Sequence, residues 1–484
     1  MLRILLLLPL AGALLIFLLP GNNPRLIRIV ALLAAIAVMG LAWALPAQFD
    51  ASVAGVQLFE THVWNPRLGS AFSLGVDGFS LPLVLLGTLL TVVAVLASQR
   101  CIVKRVKGYY ALILILESAM LGVFMARDWS LFYVFWELTL IPLFFLIDRW
   151  GGADKHRAAL NFVLYTMGGS VFMLVALLLL YDANPGHSFD IASIAQGARG
   201  LSRETQIMIF LGLLIGFGVK VPIFPLHGWL PLAYVEAPSP VPILLSGILA
   251  KMGSYGLIRA AEMLPLAVQA LQGWLAALGM VSMIYGGVLA WHQRDLKKMV
   301  AYSSMSHMGV VLLGIATLNE AGLTGAVMQM VAHGLVAGSL FLLIGLLEER
   351  THTRDIADFS SLVQVMPRFA FFTVLALVAA VGFPGTAGFV AEIHVLVGGF
   401  ARWGGWIVIL SLSVLISAAY AFRTVGRLFT GPVRDEMRRM PDLSRAEFAA
   451  VSVLGSGILL VGIFPGAALG LISASIKQMS RTLG

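Results

Sequence analysis

Runs of about twenty consecutive apolar residues recur along almost the whole chain, and they limit the possible folds more than any other feature. A membrane-spanning helix needs roughly 20 such residues. Fourteen runs of this kind are predicted to span a membrane: 2–20, 26–46, 78–99, 108–126, 129–148, 159–181, 206–225, 239–262, 268–291, 297–317, 321–347, 369–399, 403–422 and 447–474. The first is too long for the apolar core of a signal peptide, so we interpret it as a helix.

Composition agrees with this prediction. The chain is 59% hydrophobic and only 12% charged, whereas soluble domains are about 25% charged. We therefore predict an all-α polytopic membrane protein. Its net charge of +8 does not indicate nucleic-acid binding, because membrane proteins concentrate Lys and Arg in cytoplasmic loops.

The same rule predicts the orientation of the chain. If both ends lie outside, the inside loops hold 21 Lys and Arg residues and the outside segments hold 9. This two-to-one bias supports fourteen spans. The inside segment 423–446 is long and basic, and we expect it to form an amphipathic helix at the interface or to dock on a partner.

Two of the predicted spans are interrupted. The seventh breaks at Pro222 and Pro225, and the twelfth breaks at Pro384 and its flanking glycines. Interrupted helices at corresponding positions indicate a repeat with a central site. The two broken spans are five positions apart, an odd number, so spans 4–8 and 9–13 are predicted to form two inverted five-helix repeats. The predicted domains are 1–107, 108–262 (first repeat), 263–430 (second repeat) and 431–484 (amphipathic segment and helix 14).

Ionisable side chains lie inside several of these apolar runs. A lone charge at the bilayer centre costs about 2.5–3.5 kcal/mol even on the mildest scale, and such residues usually mark ion or proton paths. The residues concerned are Glu117, Glu137, Lys220, Lys251, His307, His333, Glu392 and His394. The sequence therefore predicts a proton path inside the membrane.

Glu137 and Lys220 are predicted to act as a switch. A buried lysine gives up its proton more easily when a carboxylate partner moves away, and regains it when the partner returns. Lys251, His307 and His333 would relay the proton, since histidine titrates near neutrality. The alternatives stay open: a purely structural ion pair, and histidines that only bond across helices.

Two further residues are considered for a role in the path. Glu117 either contributes to transport or faces a shielded partner without any such role. His227 lies in the loop after the seventh span, where capping or bracing is the simpler interpretation. His394 is assigned to helix packing.

With these residues identified, several motifs resemble the antiporter-like proton-pumping subunits of respiratory complex I (NADH:quinone oxidoreductase). The resemblance is strongest to the subunit M type, called subunit 4 in mitochondria. The matching motifs are GVDGFSLPLVLL at 75–86, RDWSLFYVFWELTLIPLFFLI at 127–147, VKVPIFPLHGWLPLAYVEAPSPVPILLSGILAKMGSYGLIR at 219–259, RDLKKMVAYSSMSHMG at 294–309, RTHTRDI at 350–356 and GFPGTAGFVAE at 382–392.

The resemblance implies roles for the buried residues. Glu137 matches the family's switch glutamate and Lys220 its central lysine. Lys251, His307 and His333 fall on the connecting axis. Glu392 matches the acidic residue on the exit side. No residue of this chain is expected to be catalytic, since redox chemistry would occur elsewhere in the complex.

The resemblance also implies that quinone, flavin and iron–sulfur clusters are held by partner subunits. The chain itself has a single cysteine, Cys101, whereas a cluster needs about four thiolates, and it has no strand-borne glycine-rich loop. We expect no cofactor or metal here, partners among the other membrane subunits, including sister antiporter-like subunits, and a bacterial inner membrane. Alternative assemblies are a multi-subunit sodium/proton antiporter and a membrane-bound hydrogenase. The other hypothesis for the function is a structural membrane scaffold that transports no protons.

Overall fold

The computed structural model describes residues 1–483, except for the side chains of residues 409 and 410. The α-helices are α1 (Leu2–Leu18), α2 (Pro24–Trp43), α3 (Leu81–Cys101), α4 (Val106–Met125), α5 (Trp129–Leu138), α6 (Leu140–Trp150), α7 (Lys155–Ala183), α8 (Ile191–Ala198), α9 (Arg203–Lys220), α10 (Leu230–Glu236), α11 (Val241–Leu244), α12 (Ala250–Met263), α13 (Pro265–His292), α14 (Leu296–Ala316), α15 (Glu320–Thr351), α16 (Leu362–Val365), α17 (Pro367–Ala380), α18 (Ala387–Trp403), α19 (Ile409–Phe429), α20 (Arg445–Ile463) and α21 (Gly466–Leu483).

Other elements are few. Strands β1 (Gln57–Asn65) and β2 (Ser70–Val76) form an antiparallel hairpin in the long segment between α2 and α3. A π-helical segment, Leu245–Leu249, joins α11 to α12. Short 3₁₀ turns occupy Leu45–Gln48, Ile356–Asp358, Gly404–Val408 and Asp435–Met437.

The helices confirm a multi-pass membrane architecture. Among the described residues, 11 helical segments are long and apolar enough to span a membrane. Three other predicted spans correspond to shorter or more polar helices: α1, α9, and the broken pair α17 and α18. The total of fourteen spans stays a prediction, because these three are not long and apolar enough by the same measure.

The centre of the bundle consists of helices that are apolar around their whole circumference. Nearly all residues in the most apolar stretches of Val241–Met263, α14 and α15 are buried. Helices of this kind belong in the interior. By contrast, α7 and α13 have apolar outer faces that suit contact with lipid.

Close approach of backbones holds α13 against α14. A Cβ atom on Gly309 would lie 2.7 Å from the carbonyl oxygen of Gly279, and one on Gly279 would lie 3.0 Å from that of Gly309. Small residues at such crossings allow dense packing where lipid removes the hydrophobic driving force. This contact fixes the position of α14, which carries His307.

Each predicted repeat contains an isolated antiparallel β-bridge between two backbone segments, which we call a clip. Asp128 pairs with Asp190 in the first, and Asp295 pairs with Asp355 in the second. In each case an Arg-Asp pair precedes a helix and meets an Asp-Ile-Ala sequence: the Ile191 amide donates to the Arg127 carbonyl at 3.1 Å, and the Ile356 amide donates to that of Arg294 at 2.9 Å.

The two clips lie five predicted spans apart, at equivalent places in the two repeats. Asp128 and Asp295 also cap the N-termini of α5 and α14 in the same way, with a side-chain oxygen that accepts backbone amide hydrogens. The clip therefore supports the repeat. The exact domain boundaries stay predictions.

Two helices expected near the C-terminus do not form as predicted. Span 447–474 is not one helix, because the chain turns at Phe464 and Pro465 between α20 and α21, and proline cannot continue a helix. Segment 423–446 does not form an amphipathic helix, and its alternative role of docking on a partner stays a prediction. Its first residues extend α19, and most of the rest is irregular, with Asp442 accepting from the Arg368 and Phe369 amides at the start of α17.

Candidate functional site

Lys220 is the last residue of α9, where the seventh predicted span breaks. Its side chain is buried, and Nζ donates to Oγ1 of Thr139 at 2.9 Å and to the Trp136 carbonyl at 3.4 Å. The ammonium also lies 4.0 Å from the centroid of the Trp136 ring, a cation–π contact. The junction of α5 and α6 therefore supplies all of these contacts.

Glu137 lies at the same junction, half-buried on α5. It interacts electrostatically with Lys220, but within residues 1–483 the two side chains form no ion pair shorter than 4 Å, and Oε1 of Glu137 has no hydrogen-bond partner. The sequence predicts a direct ion pair between Glu137 and Lys220. In the structure, the hydroxyl of Thr139 occupies the position next to Nζ of Lys220 instead. We call Glu137, Thr139 and Lys220 the first cluster.

Lys251 is completely buried on α12, two residues after the π-helical segment. Its Nζ donates to the Ser246 carbonyl at 2.6 Å and lies 2.5 Å from Nδ1 of His333 on α15. The Ser246 hydroxyl bonds that of Ser304 on α14 at 2.9 Å. The π segment, a feature often found at functional sites, therefore connects Lys251 to two neighbouring helices.

The histidines continue the row from Lys251. The rings of His333 and His307 are 5.6 Å apart between centroids. His307 Nδ1 lies 3.4 Å from the Gln329 amide nitrogen and 3.8 Å from Oε1 of Glu392. We call Lys251, His333, His307 and Glu392 the second cluster. Its members come from α12, α15, α14 and α18, so four helices converge on one polar row.

Glu392 is held against the break between α17 and α18. A Cβ atom on Gly382 would lie 2.3 Å from Oε2 of Glu392, and Gly382 adopts φ +75°. The left-handed backbone favours glycine, and a Cβ atom here would push the Glu392 carboxylate aside. The interruption predicted from the sequence therefore makes room for the carboxylate at the end of the row.

The two clusters are not directly joined. Across residues 1–483, neither a hydrogen bond nor an ion pair links Lys220 to Lys251. Helices α9 and α12 nevertheless pack closely, since a Cβ atom on Gly253 would lie 2.6 Å from the Phe217 carbonyl. The predicted axis thus consists of two polar clusters with a packed helix contact between them.

Glu117 and His227 lie apart from both clusters. Glu117 is fully buried on α4, and neither carboxyl oxygen has a partner in the described part of the chain. His227 is half-buried in the loop after α9, stacked on Phe224 and edge-on to Tyr285 of α13. The contacts of His227 fit a bracing role for that loop.

Sequence reasoning missed a buried tyrosine near the second cluster. Tyr420 of α19 bonds the Ser303 hydroxyl at 2.6 Å and interacts electrostatically with Glu392. Ser303 lies four residues before His307 on the same helix, which is the only sequence signal that could have pointed to this pair.

Sequence reasoning also missed a group of buried charges around Asp77, in the turn before α3. Arg127 lies 3.2 Å from its carboxylate, Arg259 donates to the same oxygen, and all three side chains are buried. Burial alone would raise the pKa of Asp77, but the two guanidinium charges outweigh it and hold that pKa well below its usual range. The cluster ties the β-hairpin end of the molecule to α12.

The comparisons with known proteins agree with this architecture. A family described as NADH:quinone oxidoreductase/Mrp antiporter, TM, matches residues 126–417. The chain is 42% identical, over 96% of its length and 89% of the relative, to NAD(P)H-quinone oxidoreductase chain 4 2 of Thermosynechococcus vestitus. It is 35% identical to NADH-quinone oxidoreductase subunit M of Rickettsia conorii, over 89% and 88% of the two chains.

Solved structures extend the likeness to the whole fold. A chain of respiratory complex I from Thermus thermophilus superposes with a TM-score of 0.92 at 31% identity, covering all of both chains. A chain of the Mrp complex of Dietzia superposes at 0.85 with 22% identity, over all of this chain and 55% of that one, which shows the fold alone.

The resemblance to subunit M-type proteins and the location in a bacterial inner membrane are thereby confirmed, since the relatives are bacterial and the helices are long and apolar. The chain belongs to the membrane-subunit family shared by NADH:quinone oxidoreductases and Mrp antiporters.

Proposed function

We propose that this chain moves protons across the membrane as a subunit of an NADH:quinone oxidoreductase, and that it carries no redox site of its own. The observation that carries the proposal is the row Lys251–His333–His307–Glu392, buried at the meeting of four helices. Ionisable groups at this depth are functional by default. Their contact distances suit stepwise transfer of a proton along the row.

The first cluster controls protonation of Lys220. A buried ammonium depends on the groups that solvate it, and here these are Thr139, the Trp136 carbonyl and the Trp136 ring. Approach of the Glu137 carboxylate would stabilise the ammonium further, and its withdrawal would favour release of the proton. The switch therefore operates between a hydroxyl-bound and a carboxylate-bound lysine.

The second cluster conducts the proton onward. Lys251 and His333 share a hydrogen bond in which one nitrogen must donate and the other accept. Transfer from Lys251 to His333, then to His307 and Glu392, moves the charge from the bundle centre to the broken helix α17–α18. Glu392 would release the proton on the outer side.

Energy for these steps would come from quinone reduction in other subunits. NADH oxidation, flavin, iron–sulfur clusters and quinone are assigned to those partners, as the single cysteine of this chain suggests. The neighbours in the membrane would include sister antiporter-like subunits. Glu117 and His227 are left outside the proton path because they contact neither cluster.

The experiment is NADH-driven proton pumping in membrane vesicles that contain Lys220→Ala or wild type, with assembly checked on a native gel. An assembled complex that no longer pumps supports the proposal. Wild-type vesicles that respond to a sodium gradient and not to NADH would favour the antiporter assembly. A variant that fails to assemble, together with a normally pumping Lys220→Arg complex, would favour a scaffold.

A further inference from the structure

An ion pair lies at the predicted inner end of the helices that carry the second cluster. Nζ of Lys297 on α14 is 2.7 Å from Oε2 of Glu348 on α15. The Ser239 hydroxyl lies 3.2 Å from Lys297 and donates to Glu348 at 3.0 Å. The Lys297 side chain is 3% exposed and that of Glu348 is 27% exposed, so the pair has one buried and one accessible member.

A cavity of about 360 Å³ adjoins this pair and opens at the surface. Ala97 and Cys101 of α3 and Trp150 of α6 line its sides, together with Lys297 and Glu348. Its walls continue inward to Ile243 of α11 and Leu342 of α15. Bulk water can therefore reach the carboxylate of Glu348, whereas Lys297 lies behind it.

Two chain segments lead from the pair and its Ser239 contact to the second cluster. Ser246 follows Ser239 by seven residues, Ser304 follows Lys297 by seven, and both serines lie next to Lys251 through the contacts described above. Lys297 and Ser304 both lie on α14, and seven helical residues rise about 10 Å. Lys297 and the Ser304 hydroxyl are thus about two turns apart on α14, and Ser246 lies beside Ser304 in the π-helical segment.

We propose that Lys297 and Glu348 form the gate through which protons pass from the inner cavity to Lys251. A proton from the cavity water neutralises Glu348 and passes to the amine of Lys297, which restores the carboxylate–ammonium pair. The proton then leaves Lys297 through water towards Ser304 and Ser246, and regenerates the amine. This supplies the second cluster with protons from the inner cavity.

A third charge allows the gate to work. Nη1 of Arg354 lies 3.4 Å from Glu348, and Nε of Arg354 lies 3.1 Å from Asp295. When Lys297 releases its proton, the Glu348 carboxylate keeps Arg354 as a counter-ion. The carboxylate is therefore never left without a partner while Lys297 is neutral.

The inference rests on the proposed function and is tested by Lys297→Arg in the assembled complex. Arginine preserves the ion pair with Glu348 but cannot release its proton. We expect a complex that assembles and oxidises NADH with added uncoupler, yet loses proton pumping. Lys298→Arg is the matched control, because Lys298 is the next residue and is exposed.

The possible outcomes separate the gate from the wider proposal. Normal pumping by Lys297→Arg, with pumping abolished in Lys220→Ala, would overturn the gate alone. Normal pumping by both variants would overturn the proposed function. Loss of pumping in Lys297→Arg, with Lys298→Arg unaffected, supports the gate, since a structural ion pair would survive the change to arginine.

A second arm leaves the pair unaltered and should be decisive if Lys297→Arg does not assemble. Cys101, the only cysteine of the chain, lines the cavity, so a bulky membrane-impermeant maleimide applied to the inner face should label it and stop pumping. Cys101→Ser, the control, should pump before and after treatment. Labelling of Cys101 without loss of pumping would overturn the gate.

Discussion

Nζ of Lys251 lies 2.5 Å from Nδ1 of His333, and both side chains are buried in the bundle centre. Two nitrogen bases at this distance share one proton, so the position of that proton can change with little movement of heavy atoms. The Ser246 carbonyl, at 2.6 Å from Nζ, stabilises the ammonium form. In the proposed function, this contact carries the first proton transfer within the second cluster.

Replacing His333 by Ala should interrupt the row at this step. We expect an assembled complex with pumping reduced to background, because Lys251 loses its acceptor and His307 becomes too distant. Pumping in NADH-energised vesicles measures this. His292→Ala is the control, since His292 is an exposed histidine at the end of α13. Pumping at the wild-type rate in His333→Ala would exclude His333 as a carrier.

Gly382 provides a test of how Glu392 is positioned. Gly382→Ala places a methyl group on the Glu392 carboxylate and also strains the left-handed backbone by about 1–2 kcal/mol. Gly385→Ala is a matched control: its φ is +90°, yet a Cβ atom there meets no atom within 4 Å.

Both glycine variants should lower the unfolding temperature of the purified complex slightly, and only Gly382→Ala should lose pumping. Equal pumping by the two variants would mean that the contact between Gly382 and Glu392 does not matter for transport.

The sequence was sufficient to predict those structural features that depend on the local pattern of residues. Apolar runs predicted the helices, and Pro222 and Pro384 predicted the two breaks. Burial of Lys251, His307 and His333 followed from their positions inside long apolar segments. The break at Pro465 was overlooked, because the residues on both sides of it are apolar and their pattern continues.

Contacts between distant residues could not be predicted in this way. Thr139 and Lys220 are 81 residues apart, and the exchange of the expected carboxylate for a hydroxyl depends on how α5 ends against α9. The Ser303–Tyr420 bond joins residues 117 apart. The π segment also has no signature in the sequence, although it determines which carbonyl reaches Lys251.

Thr139 should prove as important as Glu137 for the state of Lys220. Thr139→Val keeps the shape of the side chain and removes the 2.9 Å hydrogen bond to Nζ. A hydrogen bond to a charged group contributes about 1.5–3 kcal/mol, so the variant should favour neutral Lys220 and slow pumping about tenfold or more. Thr139→Ser, which keeps the hydroxyl, should pump normally. Equal rates in both variants would contradict this role.

Asp77 should contribute to stability and not to transport. Asp77→Asn leaves buried Arg127 without its counter-ion and leaves Arg259 with Glu262 alone, and removal of one partner from a buried pair typically costs about 3–5 kcal/mol. We expect a clear fall in the unfolding temperature of the purified complex at pH 7. Complexes that remain assembled should pump as wild type does. Asp50→Asn, an exposed carboxylate of the same outer region, is the control.

The pH dependence of this difference follows from the lowered pKa of Asp77, which burial opposes and the two arginines impose. A carboxylate whose folded pKa is depressed stabilises the protein above its unfolded pKa of about 3.9 and loses that contribution as pH falls towards the folded value. The stability gap between wild type and Asp77→Asn should therefore stay constant from pH 8 to 5 and narrow only in stronger acid. A gap that already closes between pH 7 and 5 would show that Asp77 is not held by the two arginines.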